Sequence, residues 1–178
     1  MAYRWMRTLV ALLACWGLPL GHVGATSNAG YDDIRWEHLV PKDWDPSAQF
    51  KGMDFSKLQD GDPKATELLA SLKSAWDAAP AEPSMQGRKI RLPGFLLPLD
   101  SSESLKTFLL VPYFGACIHS PPPPANQIVQ VVLDKPVKGF RTMDPVWVMG
   151  TMEIFRSDSP WGGVGYRLKG VKVETFKP

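Results

Sequence analysis

Cysteine and histidine are scarce in this chain: two of one and three of the other in 178 residues. Cys15 and His22 both fall in the N-terminal stretch that reads as an export signal, so one thiol and two imidazoles remain downstream. A lone Cys117 excludes an internal disulfide, and with no Cys-x-x-Cys it excludes dithiol exchange within one chain. Charge of one sign is missing too. Removing Arg4 and Arg7 with the N-terminal stretch leaves Lys+Arg at 18 against Asp+Glu at 18. A chain that balanced, without a basic stripe interleaved with aromatics, gives no ground for a nucleic-acid partner. After residue 25 no apolar run is long enough to span a bilayer.

The first 25 residues carry the signs of a secretory signal peptide. Arg4 and Arg7 make a positive start, Thr8 to Leu20 is mostly apolar, and Val23-Gly24-Ala25 offers small residues for cleavage. Cleavage there leaves 153 residues, enough for one domain with its own core. The expected location is the periplasm. The alternative is a lipoprotein: Leu12-Leu13-Ala14-Cys15 loosely matches a lipobox, and lipidation of Cys15 is the one route by which the chain would meet a membrane.

Residues 26–61 read as an irregular N-terminal arm. Trp36, Leu39, Trp44, Phe50 and Phe55 make it too apolar for a free linker, so the arm is expected to lie across the domain and bury those rings. A helix is expected over 62–80. Asp62 suits the N-cap, Pro63 the first helical position, and Leu68, Leu69, Leu72, Ala75, Trp76 and Ala79 recur near the helical period. That stripe is expected to face the core. From 88 to 178 the chain reads as five short strands: Lys89–Leu97, bent at Pro93-Gly94, then Leu105–Val111, Gln127–Leu133, Val146–Phe155 and Gly165–Phe176. Turn formers separate them at Asp100-Ser-Ser, Pro121–Pro124, Lys135-Pro136, Asp144-Pro145 and Ser159–Gly163. The expectation is a mainly β protein, a small OB-like five-stranded barrel preceded by the arm and one helix, with a sandwich as the other arrangement the pattern allows.

The segment Phe108-Leu-Leu-Val-Pro-Tyr-Phe-Gly-Ala-Cys-Ile-His119, followed by Pro121, Pro122, Pro123 and Pro124 and then Asn126-Gln127, concentrates the chemistry. In extended backbone Cys117 and His119 point to one face, and a thiolate beside an imidazole can begin a zinc site. Copper(I) is the alternative, with Met149 or Met152 as a further soft ligand. The same two residues could serve a Cys/His-dependent enzyme, which would need a third group to orient the base. A third reading needs neither: the proline tract stiffens the loop, Asn126 and Gln127 supply its hydrogen bonds, and Tyr113 and Phe114 beside the prolines form a docking ridge.

This segment resembles the bacterial family called domain of unknown function 3299, as do Leu92-Pro-Gly-Phe95, Pro98-Leu99-Asp100, Val146-Trp-Val-Met-Gly150, Gly165-Tyr166, and Trp36 with Leu39-Val40-Pro41. The resemblance covers roughly residues 34–176. It implies an exported envelope protein of Gram-negative bacteria, encoded beside transporter-type ATPases and permeases in settings linked to metal supply. The expected function is therefore a non-catalytic accessory that binds or handles a transition metal, zinc first, near an envelope transport system. The alternative is a metal-free interaction module for an ABC-type transporter or permease. His38 departs from the family pattern and is not taken as a ligand.

Overall fold

A computed structural model gives the fold; residues 30–45, 48, 51, 62–116 and 123–176 are described. Five strands close a barrel: β2 (Lys89–Pro98), β3 (Ser104–Val111), β4 (Val129–Lys138), β5 (Pro145–Ser159) and β6 (Gly162–Thr175). Going round it the order is β2-β3-β4-β6-β5 and back to β2, with β4 and β6 parallel and the other neighbours antiparallel. This is the OB-like Greek-key barrel expected from the strand pattern. A two-residue strand, β1 (Asp32–Asp33), adds in parallel at the start of β2.

Closure depends on β2 serving two neighbours. Its first part, Lys89 to Phe95, pairs with β5, and Phe95 to Pro98 pairs with β3. The switch falls just after Pro93-Gly94, where the sequence predicts a bulge or a bend; the pairing with β5 runs through both residues without a register shift. Register shifts lie elsewhere, at Leu105/Thr107, Met149/Gly150 and Ile154/Ser157, and they supply the extra curvature that closes a small barrel.

Alternation along the strands builds the core. Ile90, Leu92, Leu96, Phe108, Leu110, Val129, Val131, Val148, Met152, Tyr166 and Leu168 pack inside. The run Phe108-Leu109-Leu110-Val111 does not alternate, because both of its faces are covered. Phe108 and Leu110 point into the barrel, while Leu109 and Val111 join Leu97, Ala116, Ile128 and Val164 in a second apolar cluster.

The arm behaves partly as expected. Ile34, Trp36 and Leu39 are buried in the main core, and Trp44 is half-buried. Phe50 and Phe55 lie outside the described residues. Trp36 Nε1 donates to Pro93 O at 2.7 Å. Tyr166, fully buried on β6, donates through its hydroxyl to Leu39 O at 2.6 Å and accepts from the Glu82 N–H. One phenol therefore holds both the arm and the segment leading into β2 against the barrel.

Two expectations are corrected. Helix α1 (Pro63–Asp77) starts as predicted, with Asp62 capping Lys64 N at 2.9 Å, but none of its residues is buried. Of the stripe expected to be core, Leu68, Leu72, Ala75 and Trp76 are half-buried, Leu69 is 62% exposed, and Ala79, just past the end of the helix, is fully buried. The helix meets the barrel through its C-terminal end. Gly163 N donates to Asp77 Oδ1 at 3.0 Å, Arg156 donates to Ala79 O at 3.0 Å and to Asp77 O, and Lys73 pairs with the Asp77 carboxylate. Burial pushes the Asp77 carboxyl up, yet the Lys73 contact, the Gly163 N–H and the Arg156 charge together hold it below its ordinary value. The second correction is β4, which runs through the expected turn at Lys135-Pro136. Pairing of β4 with β6 ends at Leu133, so Pro136 sits in a stretch of strand whose neighbour is β3 alone. An edge tolerates a residue without an N–H.

Candidate functional site

The β3–β4 connection, residues 112–128, is where the sequence concentrates its unusual residues. Its two ends are described, and both are anchored. Leaving β3, the chain passes Pro112 and places Tyr113 and Phe114 at the surface, 45% and 72% exposed. Gly115 then adopts φ +83°, a conformation that a side chain would oppose, and Ala116 drops into the second apolar cluster at 1% exposure. This turn lifts the two rings outward while the chain on either side stays tied down.

Phe114 is braced from one side. Its ring meets Phe95 edge to face, centroids 5.9 Å apart at 77°. Phe95 itself packs on the second cluster with Met143, Phe155 and Trp161. Met143 holds a left-handed conformation, φ +67°, fixed by hydrogen bonds between β2 and its own segment: Met143 N to Leu96 O at 2.7 Å and Leu96 N to Asp144 O at 3.1 Å. Arg167 lies over the Phe155 ring at 3.4 Å and donates to Gln130 Oε1. An apolar base thus supports an exposed aromatic pair. Burial raises the Tyr113 phenol above its ordinary pKa.

The returning end is more deeply set. Pro123 is buried, Pro124 half-buried, and Ala125 to Gln127 form a 3-10 turn closed by Gln127 N to Pro124 O at 2.7 Å. Strand β6 passes directly beneath: a Cβ on Gly165 would lie 2.6 Å from Ala125 O. Asn126 is wholly buried, and its Nδ2 donates to Pro80 O at 3.0 Å. Its Oδ1 has no hydrogen-bond partner among the described residues. The expectation that Asn126 serves its own loop is thus redirected, since its donor reaches across to the turn after α1. Gln127 is half-buried at the mouth of β4.

Of the residues singled out in sequence, the structure therefore places Tyr113, Phe114, Pro123, Pro124, Asn126 and Gln127. Cys117, His119, Pro121 and Pro122 lie outside the described residues. Among the described residues no group of three or more His, Cys, Asp or Glu side chains could hold a metal ion. Met152, considered as a copper ligand, is buried in the main core, and Met149 is 7% exposed. His38 is exposed and spent locally, its Nδ1 accepting from Arg35 N at 3.0 Å.

Sequence reasoning missed Phe95, Met143 and Phe155 as the support of the loop. The signal was present in the unbroken apolar run before Pro112, which implies a cover on both faces of β3. An open groove of about 600 Å³ lies between Pro98–Ser102 and Phe140–Thr142. Among the described residues no helix is long and apolar enough to cross a membrane.

Comparison with known proteins assigns the family. A family model described as "Protein of unknown function (DUF3299)" matches residues 36–175. The crystal structure of a DUF3299 family protein from Pseudomonas aeruginosa PAO1, at 2.45 Å resolution, is 33% identical, with a TM-score of 0.63. The match covers 83% of this chain and 97% of that one. No curated protein matches.

Proposed function

We propose that this chain, which belongs to the DUF3299 family, is an exported, non-catalytic accessory protein of the envelope whose β3–β4 loop is its working surface. The observation that carries the reading is Phe114. A large ring, 72% exposed on a closed barrel and braced by Phe95, is a side chain held out for something to cover. Preformed aromatic anchors of this kind cost little conformational entropy to engage, and they dominate binding energy where partners bury them.

What the loop engages divides into two readings. In the first, Cys117 and His119 contribute soft ligands to a transition metal, zinc before copper, near an envelope transport system. Two ligands from one chain leave the rest to a donor elsewhere in the loop or on a partner. In the second, Tyr113 and Phe114 dock the protein on a component of an ABC-type transporter or permease, with no metal of its own. The exposed aromatic pair favours the second; the two-residue spacing of thiol and imidazole favours the first. Both place the protein in the periplasm, free after cleavage near Ala25 or held at the membrane through a lipidated Cys15. The mass of the mature N-terminus separates those two states.

One experiment addresses both readings. Zinc content and affinity are measured on the mature protein, purified reduced and stripped, beside Cys117→Ala, His119→Ala and Phe114→Ala. Capture of neighbouring transporter subunits is scored in parallel. Zinc near one per chain or one per two chains, lost in the first two variants, supports metal handling. Absence of zinc binding, with capture lost in Phe114→Ala and retained in Cys117→Ala, supports docking. Absence of both zinc binding and Phe114-dependent capture would overturn the assignment of function to this loop.

A further inference from the structure

We draw no further inference here: the strongest candidate, the partly exposed apolar stripe of α1 formed by Leu68, Leu69, Leu72 and Trp76, meets the barrel through the end of the helix, and nothing among the described residues shows what covers it.

Discussion

Replacing Tyr166 with phenylalanine removes a single oxygen from the point where three segments meet. In the native protein that oxygen donates to Leu39 O at 2.6 Å and accepts from the Glu82 N–H. Leu39 is fully buried, so its carbonyl has no water to turn to when the hydroxyl is gone. A buried acceptor left unmade costs about 1–3 kcal/mol. Glu82 is half-buried, so its N–H recovers part of its loss from solvent. The two together come to about 2 kcal/mol, or about 4–8 °C in melting temperature for a domain of this size. Phenylalanine keeps the ring, so the apolar burial term does not change. Urea unfolding of the wild type and Tyr166→Phe is the assay: the midpoint should fall with the slope unchanged. Hydrogen exchange should rise in residues 34–40 before it rises in the barrel strands. A midpoint that stays put, or protection lost evenly everywhere, would refute the claim that this phenol fastens the arm.

The same group gives a pH signature with a definite sign. Burial pushes the Tyr166 phenol up to about 12; the Glu82 N–H opposes that shift and the Glu82 carboxylate adds to it. A tyrosine in the unfolded chain ionises near 10. The folded state therefore favours the neutral, donating form. Its contribution is whole below about pH 10, shrinks between about 10 and 12, and is absent above. Wild-type stability should fall across that window more steeply than Tyr166→Phe stability, so the gap between them narrows as pH rises.

Four other substitutions test the remaining structure. Gly165→Ala puts a methyl group 2.6 Å from the Ala125 carbonyl, so β6 or the 3-10 turn must shift; a loss of about 1–3 kcal/mol in chemical denaturation is expected. Leu69→Gln should change stability by less than about 0.5 kcal/mol, whereas Leu92→Ala in the barrel should cost about 2–5 kcal/mol; equal costs would mean that α1 is packed after all. Phe114→Ala forfeits the edge contact with Phe95, about 0.5–1.5 kcal/mol, and should leave the far-ultraviolet circular dichroism spectrum unaltered. A large collapse in its melting temperature would show the ring to be structural instead of presented.

How much of the fold could be read in the sequence follows from which forces are local. The start of α1 was legible because N-capping depends on the residues themselves: Asp62 accepts from Lys64 N, and Pro63 has no N–H to lose. The five barrel strands were legible as apolar runs, alternating in β5 and β6 and unbroken in β3, set off by turn formers, although β4 runs on through one of those turns. The parallel pairing of β4 with β6 has no local signature, because it joins Val129 to Tyr166 across the whole β5 hairpin. The same holds for α1. Periodicity reveals an apolar stripe but not whether any element lies opposite it, and here the barrel has already closed upon itself. Pro136 misled for a related reason: a proline marks a turn only if the strand has neighbours on both sides, and β4 has one there.

The loop divides along the same line. Phe108 to Val111 read as buried, and the absence of alternation implied cover on both faces; what the sequence could not say is that the cover comes from Ala116, Ile128 and Val164, brought together by closure. Asn126 illustrates the limit more sharply. Its type and its place after a proline tract suggest a residue serving its own loop, yet its amide bonds to Pro80 O, 46 residues away. With Gly163 on Asp77 and Gly165 under Ala125, that bond ties the returning end of the β3–β4 loop to the turn that follows α1. The outgoing end has its own fastening through Ala116 and Phe95. A segment pinned at both ends on a closed barrel can present Tyr113 and Phe114 without the core paying for their exposure, because neither ring contributes its full burial to folding. That separation is why changes at Phe114 should be read in binding and changes at Tyr166 in stability.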